Sequence, residues 1–327
     1  MRASQYSRFG ESSVLETVQL PAPARAKGEV LVENKAASIT PLDYRVRKGE
    51  FFKYVQRFPK TPGCDFAGVV LETETGSKLK RGDRVFGFTS KGTHASQISV
   101  PEAHLASIPD GVSYEEAAAA ASASVTAWQA LDPDRLKPGQ RLLIQAGTGG
   151  VGHVAIQLAK NAGAHVITTT STRNIAFAQE LGADEVIDYT STDFVQQLRD
   201  KPVDLVVDMV GGADNGRNRQ VVKRNGRFAH VFNCGYIKQG WGANFSSPML
   251  EMRDVMYGLI VGGLHLGPKY SPVIAAPSSS LLERIGNLMA TGKLKIHIDR
   301  AFPLDQARAA HDHLEHGRPR GKVILTM

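Results

Sequence analysis

Cysteine is scarce in this chain of 327 residues, with only Cys64 and Cys234, far apart in sequence. No C-x-x-C occurs, which excludes a four-cysteine zinc site and argues against a disulfide framework. Long apolar runs are missing too. Nothing approaches the ~20 residues that a membrane helix needs, and the short run Ala117–Ala121 reads as packed helix. Residues 1–10 carry Arg2 and Arg8 but no apolar segment of the kind a secretory signal contains, so a cytoplasmic protein without a membrane partner is expected. Aromatic residues make up only 7%, and the basic residues are scattered rather than interleaved with them. A nucleic-acid partner is therefore not expected. The formal net charge of +7 suits a small anionic cofactor instead.

A length of 327 residues, 42% hydrophobic and 22% charged, predicts a globular protein of two domains. The most informative segment runs from Leu142 to His153. A buried strand, Arg141–Gln145, leads into Gly147-Thr148-Gly149-Gly150-Val151-Gly152, and then into a helix with an apolar face of Val154, Ile156, Leu158 and Ala159. Gly147, Gly149 and Gly152 have the G-x-G-x-x-G spacing of dinucleotide-binding turns. One glycine turns the chain off the strand, one lets backbone N–H groups approach a pyrophosphate, and one lets helix and sheet pack closely. Gly150 and Val151 lie between them, where the helix N-terminus would face the phosphates.

The next strand is His165–Thr170, and the position beyond it is where an acid would bind the ribose hydroxyls of NAD. No acid is there. The sequence reads Ser171-Thr172-Arg173-Asn174, which offers hydroxyls and a guanidinium and suits the 2′-phosphate of NADPH. Helix Asn174–Leu181, strand Glu185–Tyr189, helix Phe194–Arg199, strand Val203–Val210 and strand Arg227–Phe232 continue the alternation. This predicts an α/β fold with a Rossmann-type doubly wound parallel sheet that binds ligands at the strands' carboxyl ends, where Phe232 and Asn233 fall.

Residues 1–110 have a different texture. Strand-like runs at Val14–Leu20, Glu29–Ala36, Phe66–Glu72, Arg84–Phe88 and Gln97–Val100 are separated by proline and glycine turns. Ser113–Ala130 reads as a helix opened by a Ser113–Glu116 capping box. After helices at Leu281–Thr291 and from Pro303 to His316, the strand Gly321–Leu325 is expected to pack back on the β-rich domain. The expected division is residues 1–122, completed by 265–327, and residues 123–264.

Several segments, in order along the whole chain, resemble the medium-chain dehydrogenase/reductase superfamily, in its zinc-free quinone oxidoreductase and zeta-crystallin-like branch. They are Phe9-Gly10 with Val14-Leu15 as a first strand, Gly28–Val32, Ala36–Asp43, Pro62-Gly63-Cys64-Asp65-Phe66-Ala67-Gly68-Val69-Val70, Arg81–Val85, Thr126-Ala127-Trp128, Gly149–His153 and Gly321-Lys322-Val323. The resemblance implies a GroES-like β-rich catalytic domain beside the nucleotide-binding one, a cleft between the two, and a homodimer. It also places Tyr189 where related quinone reductases have a tyrosine near the 2′-phosphate. Zinc-dependent members use Cys, His-Glu and Cys segments. Here those positions read Asp43, Cys64-Asp65 and Ser122, so no metal is expected. Cys64 is expected to be a small buried residue, and Asp65 to brace its turn.

The resemblance also directs attention to Thr40, Asp43, Tyr44, Tyr54 and Thr126 as catalytic residues. Thr40 stands where the family commonly has Asn, and Phe51 where many relatives have a tyrosine that serves as proton donor in enoyl reductases. Without a Lewis acid or a dedicated proton donor, the accessible chemistry is hydride transfer to an electrophile that is already activated, a quinone or an α,β-unsaturated carbonyl. An enoyl-thioester reductase and a non-catalytic NADPH-binding protein are the alternatives.

Overall fold

The structure is a computed structural model and describes residues 1–50, 56–211, 214–231 and 267–327, with 256, 260 and 263. It divides into two compact units, Met1–Val125 with Ala276–Met327, and Thr126–Ala275.

The first unit contains β1 (Arg2–Gln5), β2 (Glu16–Gln19), β3 (Glu29–Ile39), α1 (Pro41–Arg47), β4 (Asp65–Glu72), β5 (Arg84–Phe88), β6 (Gln97–Pro101), β7 (Leu105–Ser107) and most of α2 (Tyr114–Leu131). The Ser113–Glu116 capping box is formed: Glu116 N donates to Ser113 Oγ at 3.1 Å, and Ser113 N to Glu116 Oε2 at 3.0 Å. Strand β3 organises the unit. Its first half alternates buried and half-buried residues, as a strand with one face on a core must, and its last four residues are all buried. Val30 and Val32 pack with Phe66, Val70, Val85 and Val100. Ile39, at the far end, packs with Phe302, Leu304, Val323 and Leu325.

The second unit carries β8 (Arg141–Ile144), α3 (Gly152–Asn161), β9 (His165–Thr170), α4 (Ile175–Glu180), β10 (Glu185–Asp188), α5 (Phe194–Leu198), β11 (Val203–Asp208), α6 (Asp214–Val221), β12 (Val222–Val231) and β13 (Lys269–Val273). The sheet is parallel, in the order β10-β9-β8-β11-β12-β13. The order reverses between β8 and β11, which is the topological switch point of a doubly wound sheet. The chain then returns to the first unit through α7 (Ser279–Ala290), β14 (Ile298–Pro303), α8 (Ala307–His316) and β15 (Lys322–Thr326). Strand β15 lies between β14 and β3, with Val323 opposite Ile39 and Leu325 opposite Ala37.

Two expectations need correction. The first strand is Arg2–Gln5, and Ser12–Val14 is a turn of 3-10 helix. The chain re-enters the first unit at Ala276 rather than at 265. Residues 269–273 form β13 because Tyr270 and Val273 face inward, Tyr270 edge-on to Phe228, while Pro272 is tolerated on what is, among the described residues, an end strand. On α1, the charged side chains of Arg45 and Arg47 are buried. Arg47 Nη2 meets Glu315 Oε2 and its Nη1 donates to the Gly10 carbonyl, both at 3.0 Å.

Candidate active site

The turn between β8 and α3 is built by close contacts that admit no side chain. A Cβ on Gly147 would stand 1.9 Å from Thr168 Oγ1, a hydroxyl already donated to the Ile144 carbonyl at 2.6 Å. A Cβ on Gly152 would stand 2.3 Å from the Ala146 carbonyl. Gly149 differs, since its Cβ would meet only the Ala146 oxygen, at 3.3 Å, and would otherwise point into open space. Two of the glycines therefore let β8, β9 and α3 pack, and the third leaves room above the turn. Ala146 carries the left-handed kink at φ 52°, where a residue with a Cβ is strained. The turn is tied down by Gly147 N to the Thr169 carbonyl at 3.2 Å and by the buried His153, whose Nδ1 lies 3.0 Å from the Gly149 carbonyl. In the first turn of α3, His153 N donates to the Gly149 carbonyl at 3.1 Å and Ala155 N to the Val151 carbonyl at 3.0 Å, and the positive end of the helix dipole lies at this end. The room that Gly149 leaves above the turn and the dipole of this helix start fit a pyrophosphate.

The second part of the site follows β9. The buried Thr148 and Thr170 hydroxyls are 2.9 Å apart, and Asn174 Nδ2 reaches Thr148 Oγ1 at 3.4 Å. This chain of polar groups couples the glycine turn to the 171–174 loop. Ser171 is half-buried there, and Arg173 is exposed. Tyr189, 56% exposed, leaves the end of β10 with its N–H donated to the Thr170 carbonyl at 3.1 Å. On the other side of the switch point, the buried Asp208 ends β11. Its Oδ1 accepts from Val210 N and Gly211 N at 2.9 Å, and its Oδ2 lies 3.0 Å from His230 Nδ1.

In the first unit, the segment after β3 is closed on itself. Asp43 Oδ2 accepts from Thr40 N at 2.7 Å and from Thr40 Oγ1 at 2.9 Å, and its Oδ1 accepts from Gly63 N at 2.9 Å. Asp43 is 6% exposed and Tyr44 9%. Asp65 is fully buried. Its Oδ2 accepts from Ser38 Oγ and lies 3.2 Å from Lys322 Nζ, while Oδ1 accepts from Ser122 N at 3.0 Å. Behind them His94 and His311, both buried, meet edge to face with centroids 5.5 Å apart. Burial holds both imidazoles below their usual range, His311 well below it.

Residues 26–110 match the alcohol dehydrogenase GroES-like domain, and residues 181–325 match the zinc-binding dehydrogenase family. The chain is 34% identical to a chloroplast envelope quinone oxidoreductase homolog of Arabidopsis thaliana, over 99% of this chain and 98% of that protein. The chain belongs to the medium-chain dehydrogenase/reductase superfamily, in its quinone oxidoreductase branch. A trans-enoyl reductase of Aspergillus terreus is 33% identical over 93% of this chain and 89% of its own length. The Escherichia coli quinone oxidoreductase, solved in complex with NADPH, superimposes with a TM-score of 0.83 at 26% identity, covering 100% of both chains. As a member of this branch the chain is an NAD(P)-dependent oxidoreductase.

Set against this medium-chain reductase, the expected site residues divide in three. Gly147, Gly149, Gly150, Val151 and Gly152 lie on one turn, with Ser171, Arg173 and Tyr189 at the neighbouring strand ends. Thr40, Asp43 and Tyr44 lie together at the start of α1, and Thr126 lies on α2, 8% exposed. Tyr54, Phe51, Phe232 and Asn233 lie outside the described residues.

Two residue expectations change. Cys64 is half-buried rather than buried, with its thiol pushed well up by lost solvation and by the carboxylates of Asp43 and Asp65. Asp65 does not brace a local turn but ties β4 to β3, α2 and the C-terminal strand. The sequence reading missed Thr148, Asn174, Asp208, His230 and the tie from Asp65 to Lys322. Helix α1, which the sequence reading also left out, carried a local signal: Thr40 with Asp43 three residues later, and Pro41 at the first helical position.

Proposed function

We propose that this chain is an NADPH-dependent reductase that delivers hydride, without zinc, to quinones or activated α,β-unsaturated carbonyls. The observation that carries the reading is the end of β9, where Ser171 and an exposed Arg173 stand in place of an acid, beside the exposed Tyr189 and coupled through Asn174 and Thr148 to the glycine turn. A bound nicotinamide cofactor would supply the hydride. The glycine turn and the start of α3 hold its pyrophosphate, and Ser171, Arg173 and Tyr189 take the 2′-phosphate. Arg173→Ala is expected to weaken NADPH binding by about 2 kcal/mol, the scale of a charge-assisted hydrogen bond, with NADH hardly affected. Titration with both cofactors checks it, and equal losses would sink the assignment.

Thr40 and Thr126 are the residues proposed to orient the substrate or nicotinamide. The Thr40 proton is spent on Asp43, so toward a ligand its oxygen acts as an acceptor. Asp43, with both oxygens occupied, is a positioning residue that ties α1 to Gly63. Protonation of the reduced product is assigned to water. Tyr44 is nearly buried, so Tyr44→Phe should change kcat on a quinone far less than the ~10²–10⁴-fold due to a general acid. A ~10³-fold fall in kcat with cofactor binding intact would make Tyr44 the acid.

Zinc independence is supported by the place of Asp65, whose carboxylate is bonded to an ammonium, a hydroxyl and a backbone N–H. Purified protein should contain substoichiometric zinc and keep its turnover in chelator. Equimolar zinc with chelator-sensitive turnover would refute this.

The similarity to a trans-enoyl reductase favours a second reading, reduction of an enoyl thioester. Turnover with NADPH on a quinone, a short enone and crotonyl-CoA separates the two. Among the described residues β13 has no outer neighbour, and such an edge suits pairing with a second copy of the chain, consistent with a homodimer.

A further inference from the structure

The end of β10 brings a carboxylate to the loop read as the 2′-phosphate site. Strands β9 and β10 are parallel neighbours, with Asp188 opposite Thr170. Asp188 immediately precedes Tyr189. Its Oδ2 accepts from Thr172 Oγ1 at 2.6 Å, and its Oδ1 accepts from Thr190 N at 3.0 Å and Thr190 Oγ1 at 2.7 Å. The same hydrogen bonds, that from Thr172 foremost, hold its carboxyl below the usual range, so the group is ionised at neutral pH. Thr172 stands between Ser171 and Arg173. A hydroxyl has one proton to give, and that of Thr172 goes to Asp188. The loop thus offers a 2′-phosphate fewer donors than its sequence suggests, with a fixed negative charge one hydroxyl away.

We infer that Asp188 sets the ratio of NADPH to NADH that this chain accepts, by opposing the charged 2′-phosphate and by holding the Thr172 proton away from it. The inference rests on the reading of Ser171, Arg173 and Tyr189 as the segment that meets the adenosine 2′ position. Charge supplies the larger part of the discrimination. A 2′-phosphate carries up to two negative charges and feels the carboxylate, whereas a 2′-hydroxyl carries none. Because Asp188 reaches solvent, the effect is screened and moderate. Asp188 would thereby supply, from the neighbouring strand, part of the selection that an acid at the end of β9 exerts in NAD-specific folds.

Asp188→Asn keeps the size while removing the charge and weakening the hold on the Thr172 proton. Binding of NADPH and of NADH to the full chain should be measured at about 0.01 M and about 1 M ionic strength. The NADPH:NADH affinity ratio is expected to rise ~5-fold at low salt, and most of that gain should vanish at high salt. Thr172→Val in the wild-type background should leave the ratio within ~2-fold, because its proton is already committed, but in the Asp188→Asn background it should remove part of the gain. Asp188→Ser provides a second uncharged variant should Asn disturb the turn. An unchanged ratio at low salt in folded variants, or an equal gain for both cofactors, overturns the inference. A selective loss of NADPH in Arg173→Ala alongside an unchanged ratio in Asp188→Asn would leave the NADPH reading standing and remove this one alone.

Discussion

Lys322→Met is expected to destabilise the protein by about 3–5 kcal/mol, the cost of removing one partner from a buried ion pair. Lys322 is 4% exposed and Asp65 0%, so water cannot compensate the carboxylate left behind. Ser38 and the Ser122 N–H would still donate to it, but neither carries a charge. The loss should spread, because Asp65 opens β4 opposite Ser38 of β3, and the adjoining Gly63 N–H holds Asp43. Adding Asp65→Asn should recover more than half the loss, since the amide needs no counter-charge while its oxygen can still accept. Urea denaturation of both single variants and the double variant measures this. A loss below about 1 kcal/mol for Lys322→Met would place the pair with exposed salt bridges, and the proposed tie would fail.

That pair also illustrates where the sequence stops being legible. Asp65 and Lys322 are 257 positions apart, and neither has a local pattern that points to the other. Local signals did mark what they could reach. The glycine spacing, the β-branched strand after it and the capping box at Ser113 each arise within a few residues, and the parallel sheet follows from their alternation. Elements whose stability comes from tertiary packing were less visible. Strand β13 holds a proline and buries only Tyr270 and Val273, and β1 is a four-residue strand paired with β2. Arg47, a charged side chain that would ordinarily stay in water, is buried with its Nη2 on Glu315, far along the chain, and its Nη1 on the Gly10 carbonyl. At the cofactor loop the residue types were readable, but their commitments were not. Thr172 looked like a phosphate donor until the parallel register set Asp188 beside it.

Gly149→Ala should separate binding from folding. A Cβ there would meet only the Ala146 oxygen, at 3.3 Å, so a small local adjustment accommodates it in the empty turn. Stability should stay within about 0.5 kcal/mol of wild type, since the strain is small and alanine reduces the freedom of the unfolded chain. The same methyl would occupy the space assigned to the pyrophosphate, where backbone must approach the ligand. Overpacking of that contact is expected to cost ~10²-fold or more in affinity for NADPH and NADH alike, about 3 kcal/mol. Gly147→Ala provides the contrast. Its Cβ would fall 1.9 Å from the buried Thr168 hydroxyl, so it should lower both stability and affinity. Thermal melts without ligand and fluorescence titration with each cofactor distinguish the two variants. If Gly149→Ala binds NADPH as wild type does, the space over this turn is not where the pyrophosphate lies. If it instead loses stability as Gly147→Ala does, the glycine serves packing rather than the ligand. The equal loss for both cofactors expected here also separates the turn from the 171–173 loop, where Arg173→Ala should act on NADPH alone.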